Sequence, residues 1–275
     1  MGPLPEPAMP TPFLLHLPTT QAIPVIASLP HSGLLIPKDM ANSLETPYQQ
    51  YLPNQDWHLD KLYDFLPSLG ITVLQSLYSR YVVDLNRSLQ EPLFGNFWQS
   101  VTAEKTAFNA SLYQTLPSRE EIEQRVEQYY RPYHQQLQRL LNKQIEQFGN
   151  VYLLDLHSFL GLIEDEICLG NGNSSTCSEP FISIVETAFC SQGYQVVRNK
   201  VFSGGYITRH YSHMPQVEAL QIEVRYPVYL DTNQLGHSSV PDWQVPEFDR
   251  AKHKLKVIFE QIVDAVIAAQ PHRSR

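Results

Sequence analysis

Cysteine is scarce: Cys168, Cys177 and Cys190 are the only three in 275 residues. An odd, sparse set argues against a disulfide framework and fits a reducing compartment. No CxxC or CxxH pair occurs, which argues against a structural zinc knot. Charged residues are also few, 17% of the chain, with a net charge of -8 and a pI near 5.7. Without a basic stripe, nucleic acid is not an expected partner. No apolar run is long enough to cross a bilayer. The proline-rich start, MGPLPEPAMPTPFLLHLPTT, lacks the charged and apolar regions of a signal peptide. Glu6 breaks the myristoylation pattern. No membrane partner is therefore expected, and the expected location is cytoplasmic. GxGxxG, P-loop and GxSxG patterns are absent, so neither nucleotide binding nor a serine elbow is indicated.

Against these absences stands a hydrophobic content of 43%, enough for one large α/β domain or two small ones. Residues 1–20 read as an extended lead-in, and 21–270 as a single domain with no visible linker. Apolar and β-branched runs predict strands at Ala22–Leu29, Ile71–Leu77, Tyr81–Leu85, Val151–Ser158, Tyr194–Arg198 and Gln216–Val224. Helical spacing predicts helices at Asp56–Leu69, Ser118–Phe148, Ser178–Phe189 and Phe248–Ala269. Ser118 and Glu121 form a capping box, and Pro132 should kink the helix that they open. Gln90–Pro117 shows no period and reads as a loop over the site, a lid or specificity region. Phe202–His213 and Gly170–Ser178 read as irregular loops. Alternation of strands and helices implies a three-layer α/β/α fold around a mixed, mainly parallel sheet.

In such sheets the ligand crevice lies beyond the carboxyl ends of the strands. VYLLDLHS ends there with Asp155 and His157, which share a face because strands alternate. Another strand runs into His31, and a third into Glu223. Two histidines, nearby carboxylates and a separate glutamate are the parts of a hydrolytic zinc site, though each histidine alone also reads as structural. Asp155 could orient His157. The third ligand is open: Asp56 is the first choice, Asp60 shares its face and His58 is a rival from the same helix. A carboxylate among Leu220, Ile222 and Val224 is costly unless paired or working, so Glu223 reads as the general base. Arg87, which lies with Asp84 and Asn86 in YVVDLNR, could grip a substrate carboxylate, as could Arg80 and Arg209.

The segments IPVIASLPHSG, DWHLDKLYDFL, SRYVVDLNR, LLDLHS, GGYITRHY and LQIEV, in that order from about Ile23 to Asp231, resemble the N-formylglutamate amidohydrolase (deformylase) family. That family is similar in fold to zinc carboxypeptidases and the aspartoacylase group. The resemblance implies one Zn²⁺, or another divalent transition metal, at His31, Asp56 and His157. It implies a base at Glu223 and carboxylate recognition by Asn86 and Arg87; beyond the resemblance, Arg209 is expected to join that grip and Arg80 to steady the oxyanion. The substrate it implies is an N-acyl amino acid bearing carboxylates: N-formyl-L-glutamate, cleaved to formate and glutamate late in histidine breakdown. Another N-acyl acidic amino acid is the alternative. Carboxypeptidases place a glutamate three residues after the first histidine; here that position is Leu34, so Asp56 is inferred from this chain alone. Asn109–Ala110 stands where the deformylase pattern has Asx-Gly.

Overall fold

The computed structural model describes residues 11–161 and 163–269. In chain order its elements are β1 (Phe13–His16), β2 (Val25–Leu29), α1 (Lys38–Ser43), α2 (Leu59–Leu62), β3 (Thr72–Ser76), β4 (Phe94–Gly95) and β5 (Thr102–Ala103). There follow α3 (Arg119–Arg125), α4 (Arg131–Phe148), β6 (Val151–Phe159), β7 (Ile167–Gly170), α5 (Glu179–Ser191) and β8 (Val196–Arg198). The chain closes with α6 (Tyr206–Tyr211), β9 (Val217–Arg225) and α7 (Pro246–Ala269).

A 7-stranded sheet in the order β1-β3-β2-β6-β9-β7-β8 forms the middle layer. Its central run β3-β2-β6-β9 is parallel, whereas β1 and β7 pair antiparallel with β3 and β9. Every residue of β6 is buried, as its uninterrupted apolar run requires of a strand covered on both faces. Leu154, Leu156, Leu220 and Ile222 face α5 and α7, while Ile26, Leu74, Leu153 and Ala219 face α4 and α6. The expected three-layer α/β/α arrangement with a mixed, mainly parallel sheet is thus observed. Among the described residues, no helix is long and apolar enough to cross a membrane.

Several local expectations are corrected. Asp56–Leu69 is not one helix but a single α-turn, α2, and a 3₁₀ turn at Leu66–Leu69. His58 adopts φ 56, which cannot extend α2 backwards, and Pro67 supplies no N–H to carry it on. Tyr81–Leu85 is a buried turn rather than a strand. Its β-branched residues fill the core, but the backbone N–H of Asn86 bonds the Asp84 carboxylate at 2.8 Å instead of a neighbouring strand. GGYITRHY contains α6, begun where the Asn86 side-chain oxygen accepts from Ile207 N at 2.8 Å. Of the segment 1–20 read as an extended lead-in, residues 1–10 lie outside the described residues, and Phe13–His16 form edge strand β1. β7 escaped sequence reading because four residues ending in glycine carry little pattern; pairing with β9 makes it a strand.

The capping box forms as expected, with Glu121 N on Ser118 Oγ and Ser118 N on the Glu121 carboxylate. A π-helical turn at Val126–Tyr130 separates α3 from α4, just before Pro132, absorbing the hydrogen bond that proline cannot donate. On α4, His134 Nε2 donates to the Leu85 carbonyl at 2.9 Å, and Nδ1 meets the Tyr211 hydroxyl at 3.0 Å. Burial pushes this imidazole down to about 4. The native state therefore binds fewer protons here than the unfolded chain between about pH 6.5 and 4, and stability falls as pH drops through that window. The loss reaches up to about 3 kcal/mol. A His134→Gln variant should lose this part of the pH slope in chemical denaturation; identical slopes would refute the assignment.

Candidate metal centre and its cleft

β2 and β6 stop at the same rim of the sheet, and the chain beyond β2 turns immediately through Pro30 and His31. Gly33 permits this turn: a Cβ there would stand 2.3 Å from the Leu77 carbonyl carbon. Leu35 N then bonds the Leu77 carbonyl at 3.1 Å, which pins the turn beside the end of β3. Asp56 enters from the segment before α2, held by the buried side chains of Trp57, Leu59 and Leu62. Strand alternation turns Asp155 and His157 toward the α4 and α6 face. Because β6 and β9 run parallel in register, His157 lies beside Glu223 and Asp155 beside Gln221.

His31, Asp56 and His157 are buried and offer ligand atoms that all lie within 4.8 Å of one another. Both histidines turn Nδ1 toward Asp56 Oδ2, at 3.7 Å from His31 and 3.0 Å from His157. Both place Nε2 on another carboxylate: His31 on Asp84 at 2.7 Å, His157 on Asp155 at 2.9 Å. Outer-sphere carboxylates of this kind fix the tautomer that leaves Nδ1 free for a metal. Nδ1 of His31 is buried and has no partner among the described residues. A cation between the three groups would satisfy it and offset the acidic charge of Asp56, Asp84 and Asp155. A donor set of two imidazoles and one carboxylate suits a divalent transition metal.

Electrostatics follow from burial and pairing. Burial would raise the Asp56 carboxyl, but the hydrogen bond from His157 and the nearby charge of both histidines hold it below the usual carboxylate range. Burial likewise opposes ionisation of Asp84, yet the charges of Arg80, His31 and Arg87 hold it well down. Burial would lower His157; Asp155 and Asp56 raise it instead. Glu223 is pushed up by burial to about 8, against the charge of His157. Its Oε1 accepts from Gln221 Nε2 at 2.7 Å, and its Oε2 is buried with no partner.

The cleft around these groups has a volume of about 510 Å³ and is lined by His31, Asp56, Arg80, Asn86, Arg87, His157 and Glu223. All the sequence-predicted site residues except Arg209 therefore meet there. Arg209 is exposed, and its guanidinium bonds the Gly204 carbonyl and Ser203 hydroxyl, bracing the loop that lines the cleft. Arg209 is not among the residues that line the cleft. The rival ligands fall away. His58 Nε2 bonds the Pro241 carbonyl at 2.7 Å, and Asp60 pairs with Lys61.

Asn86 lines the cleft, but its amide is engaged. It donates to Asp155 at 3.2 Å and accepts from Ile207 N, and a Cβ at Gly205 would meet this amide at 2.3 Å. Arg80 bonds Asp84 at 2.6 Å and lies 4.6 Å from the centre of the Phe97 ring. Arg87 bonds the Asn86 carbonyl. In each arginine Nε is buried without a partner. Sequence reading missed Gln221, though it precedes Glu223 by the same two-residue step that joined Asp155 to His157. It also missed Trp98 and Phe108, which reach the cleft from the unpatterned loop 90–117.

The N-formylglutamate amidohydrolase family model matches residues 23–230. An N-formylglutamate deformylase of Pseudomonas putida is 34% identical over 229 residues, covering 77% of this chain and 84% of the relative. Its counterpart from Pseudomonas aeruginosa is 34% identical over 224 residues, 76% of this chain and 83% of the relative. Among solved structures, the N-formylglutamate amidohydrolase of Ralstonia eutropha JMP134 superposes with a TM-score of 0.83 at 23% identity, over 94% of this chain and 99% of that one. The shared fold, the matched span and the relatives at 34% identity agree: this chain belongs to the N-formylglutamate amidohydrolase family.

Proposed function

We propose that this protein hydrolyses N-formyl-L-glutamate to formate and L-glutamate, using one divalent metal ion, zinc, held by His31, Asp56 and His157. The observation that carries this reading is a buried three-ligand cluster beside a glutamate whose Oε2 has no partner. The two Pseudomonas relatives named as deformylases support the substrate. When bound, the cation polarises an acyl carbonyl and acidifies water. Glu223 Oε2 takes the proton from the attacking water and passes it to the leaving nitrogen. Gln221 keeps the other oxygen occupied, so the free one points to a single task.

Arg80 and Arg87 bring positive charge to the cleft. Arg87 suits a substrate carboxylate, and Arg80 suits the oxyanion that develops on the acyl oxygen. Asn86 serves by holding Asp155 and the start of α6, which keeps His157 in place. Formate release from N-formyl-L-glutamate tests the whole assignment. Chelation should reduce it by about 100-fold or more, a second-order effect of losing the Lewis acid, and zinc should restore it. Undiminished release from protein shown to be metal-free would overturn the metal assignment. No release from metal-loaded protein would overturn the substrate.

A further inference from the structure

A second chamber, of about 280 Å³, adjoins the reaction cleft. Asn54, Phe108 and Leu160 line both spaces. The cleft holds Asp56, Arg80, Arg87 and Glu223, whereas among the described residues no Asp, Glu, Lys or Arg lines the chamber, where His237 is the one imidazole. Its walls include Tyr48, Tyr51, Trp57 and Tyr226, and the Tyr51 and Trp57 rings stack at 5.7 Å with an interplanar angle of 13°. Neutral aromatic walls receive apolar groups, aromatic rings above all.

The opposite wall, 234–241, is anchored. Pro241 is held by His58, and Gln234 Oε1 accepts from Asp242 N at 2.6 Å. This explains why His58 is buried beside the ligand Asp56 without joining it. This wall lies outside the segment 23–230 matched to the family, while the aromatic walls lie within it.

The position of the chamber says which part of a substrate enters it. Asn54 and Trp57 flank Asp56 in the chain and line the chamber, while Asn86 and Arg87 line the cleft alone. With an acyl carbonyl at Asp56 and an amino-acid carboxylate at Arg87, the group extending toward the chamber is the acyl tail. A formyl group has no tail to place there. A cavity of about 150 Å³ already holds a benzene ring, so this one has room for a ring and a short linker.

We infer that the protein also hydrolyses N-acyl acidic amino acids with an arylalkyl acyl tail, the ring seated against Tyr51 and Trp57. This rests on the hydrolase reading above and widens its acyl range. The bond changes are those of simple hydrolysis. A C–O bond forms between water and the acyl carbon, the amide C–N bond breaks, and the water proton reaches the leaving amine through Glu223. The products are an arylalkanoate and the free amino acid.

The test compares kcat/KM of metal-loaded protein for N-formyl-, N-acetyl- and N-(3-phenylpropanoyl)-L-glutamate. It uses the wild type and Ser238→Trp, an exposed position that lines the chamber but not the cleft. The wild type should prefer the phenylpropanoyl compound to the acetyl one by about tenfold or more. Ser238→Trp should remove that preference and leave formyl turnover within about twofold; Ser239→Trp provides an independent second block. Phenylpropanoyl turnover no better than acetyl, or equal losses on all three substrates in both variants, would overturn the inference while formyl turnover upholds the hydrolase reading. Metal-loaded protein inactive on every compound would sink both.

Discussion

Glu223→Gln is expected to lower kcat on N-formyl-L-glutamate by about 10²- to 10⁴-fold, the contribution of a positioned general base. Metal content and the unfolding midpoint should stay near wild type. The side chains have nearly the same shape, and the oxygen that accepts from Gln221 is retained. What is lost is the capacity of the other oxygen to hold a proton. That oxygen is buried beside His157 with no hydrogen-bond partner among the described residues, so no hydrogen bond disappears with its charge. KM should change little, because Glu223 is placed to act on water rather than to grip substrate carboxylates. Wild-type kcat in a fully metal-loaded Glu223→Gln protein would refute the role.

Asp56→Ala is the second change with a large expected effect, and its readout is the metal itself. Asp56 supplies the one oxygen and the one negative charge among the three ligands. Its Oδ2 also accepts from His157 Nδ1 when no cation intervenes. Removing it leaves two neutral donors, too few for a three-ligand hydrolytic site. Metal affinity should fall by more than about 100-fold, beyond the usual cost of losing an outer-sphere partner. Formate release should fall in parallel. His58→Gln and Asp60→Asn, at the two rival positions, should retain stoichiometric metal, since one bonds the Pro241 carbonyl and the other a lysine. Retained metal in Asp56→Ala, or its loss in His58→Gln, would overturn the choice of ligand. Circular dichroism of each variant separates lost metal from lost fold.

Much of this centre was legible in the chain because strand periodicity carries directional information. Asp155 and His157 two residues apart on a buried strand must share a face, and the rim of a parallel sheet must be where they emerge. The apolar neighbours of Glu223 marked it as a charge in an unfavourable place. The scaffold followed from the same patterns: long buried strands, a capping box at Ser118, and helices whose apolar faces repeat at helical spacing.

Other features depended on contacts between residues distant in the chain. Helical spacing suggested one helix over Asp56–Leu69, but the left-handed backbone at His58 set Asp56 apart from that helix and separated the ligand from its rivals. YVV has strong β propensity, yet Tyr81–Leu85 pairs with no strand, because its side chains fill a core reached from several directions while Asp84 bonds the local backbone. Asn86 is expected as a substrate contact from the resemblance; it lines the cleft, and its bonds to Asp155 and Ile207 N, which the sequence does not show, also tie the cleft to α6. Arg209 lies close to the cleft loops in sequence, but its guanidinium bonds Ser203 and Gly204 and does not line the cleft.

The sequence by itself determined the layered α/β architecture and the residue types of the candidate metal centre, since both depend on periodicity and on the cost of burying charge. The tertiary structure decided which acid joins the histidines, which arginines reach the cleft, and that an uncharged aromatic chamber lies beside it. Those outcomes depend on distances between segments far apart in the chain, 101 residues in the case of Asp56 and His157. Local propensity carries no record of such distances; the register of β6 against β9 and the packing of loops on the sheet rim create them.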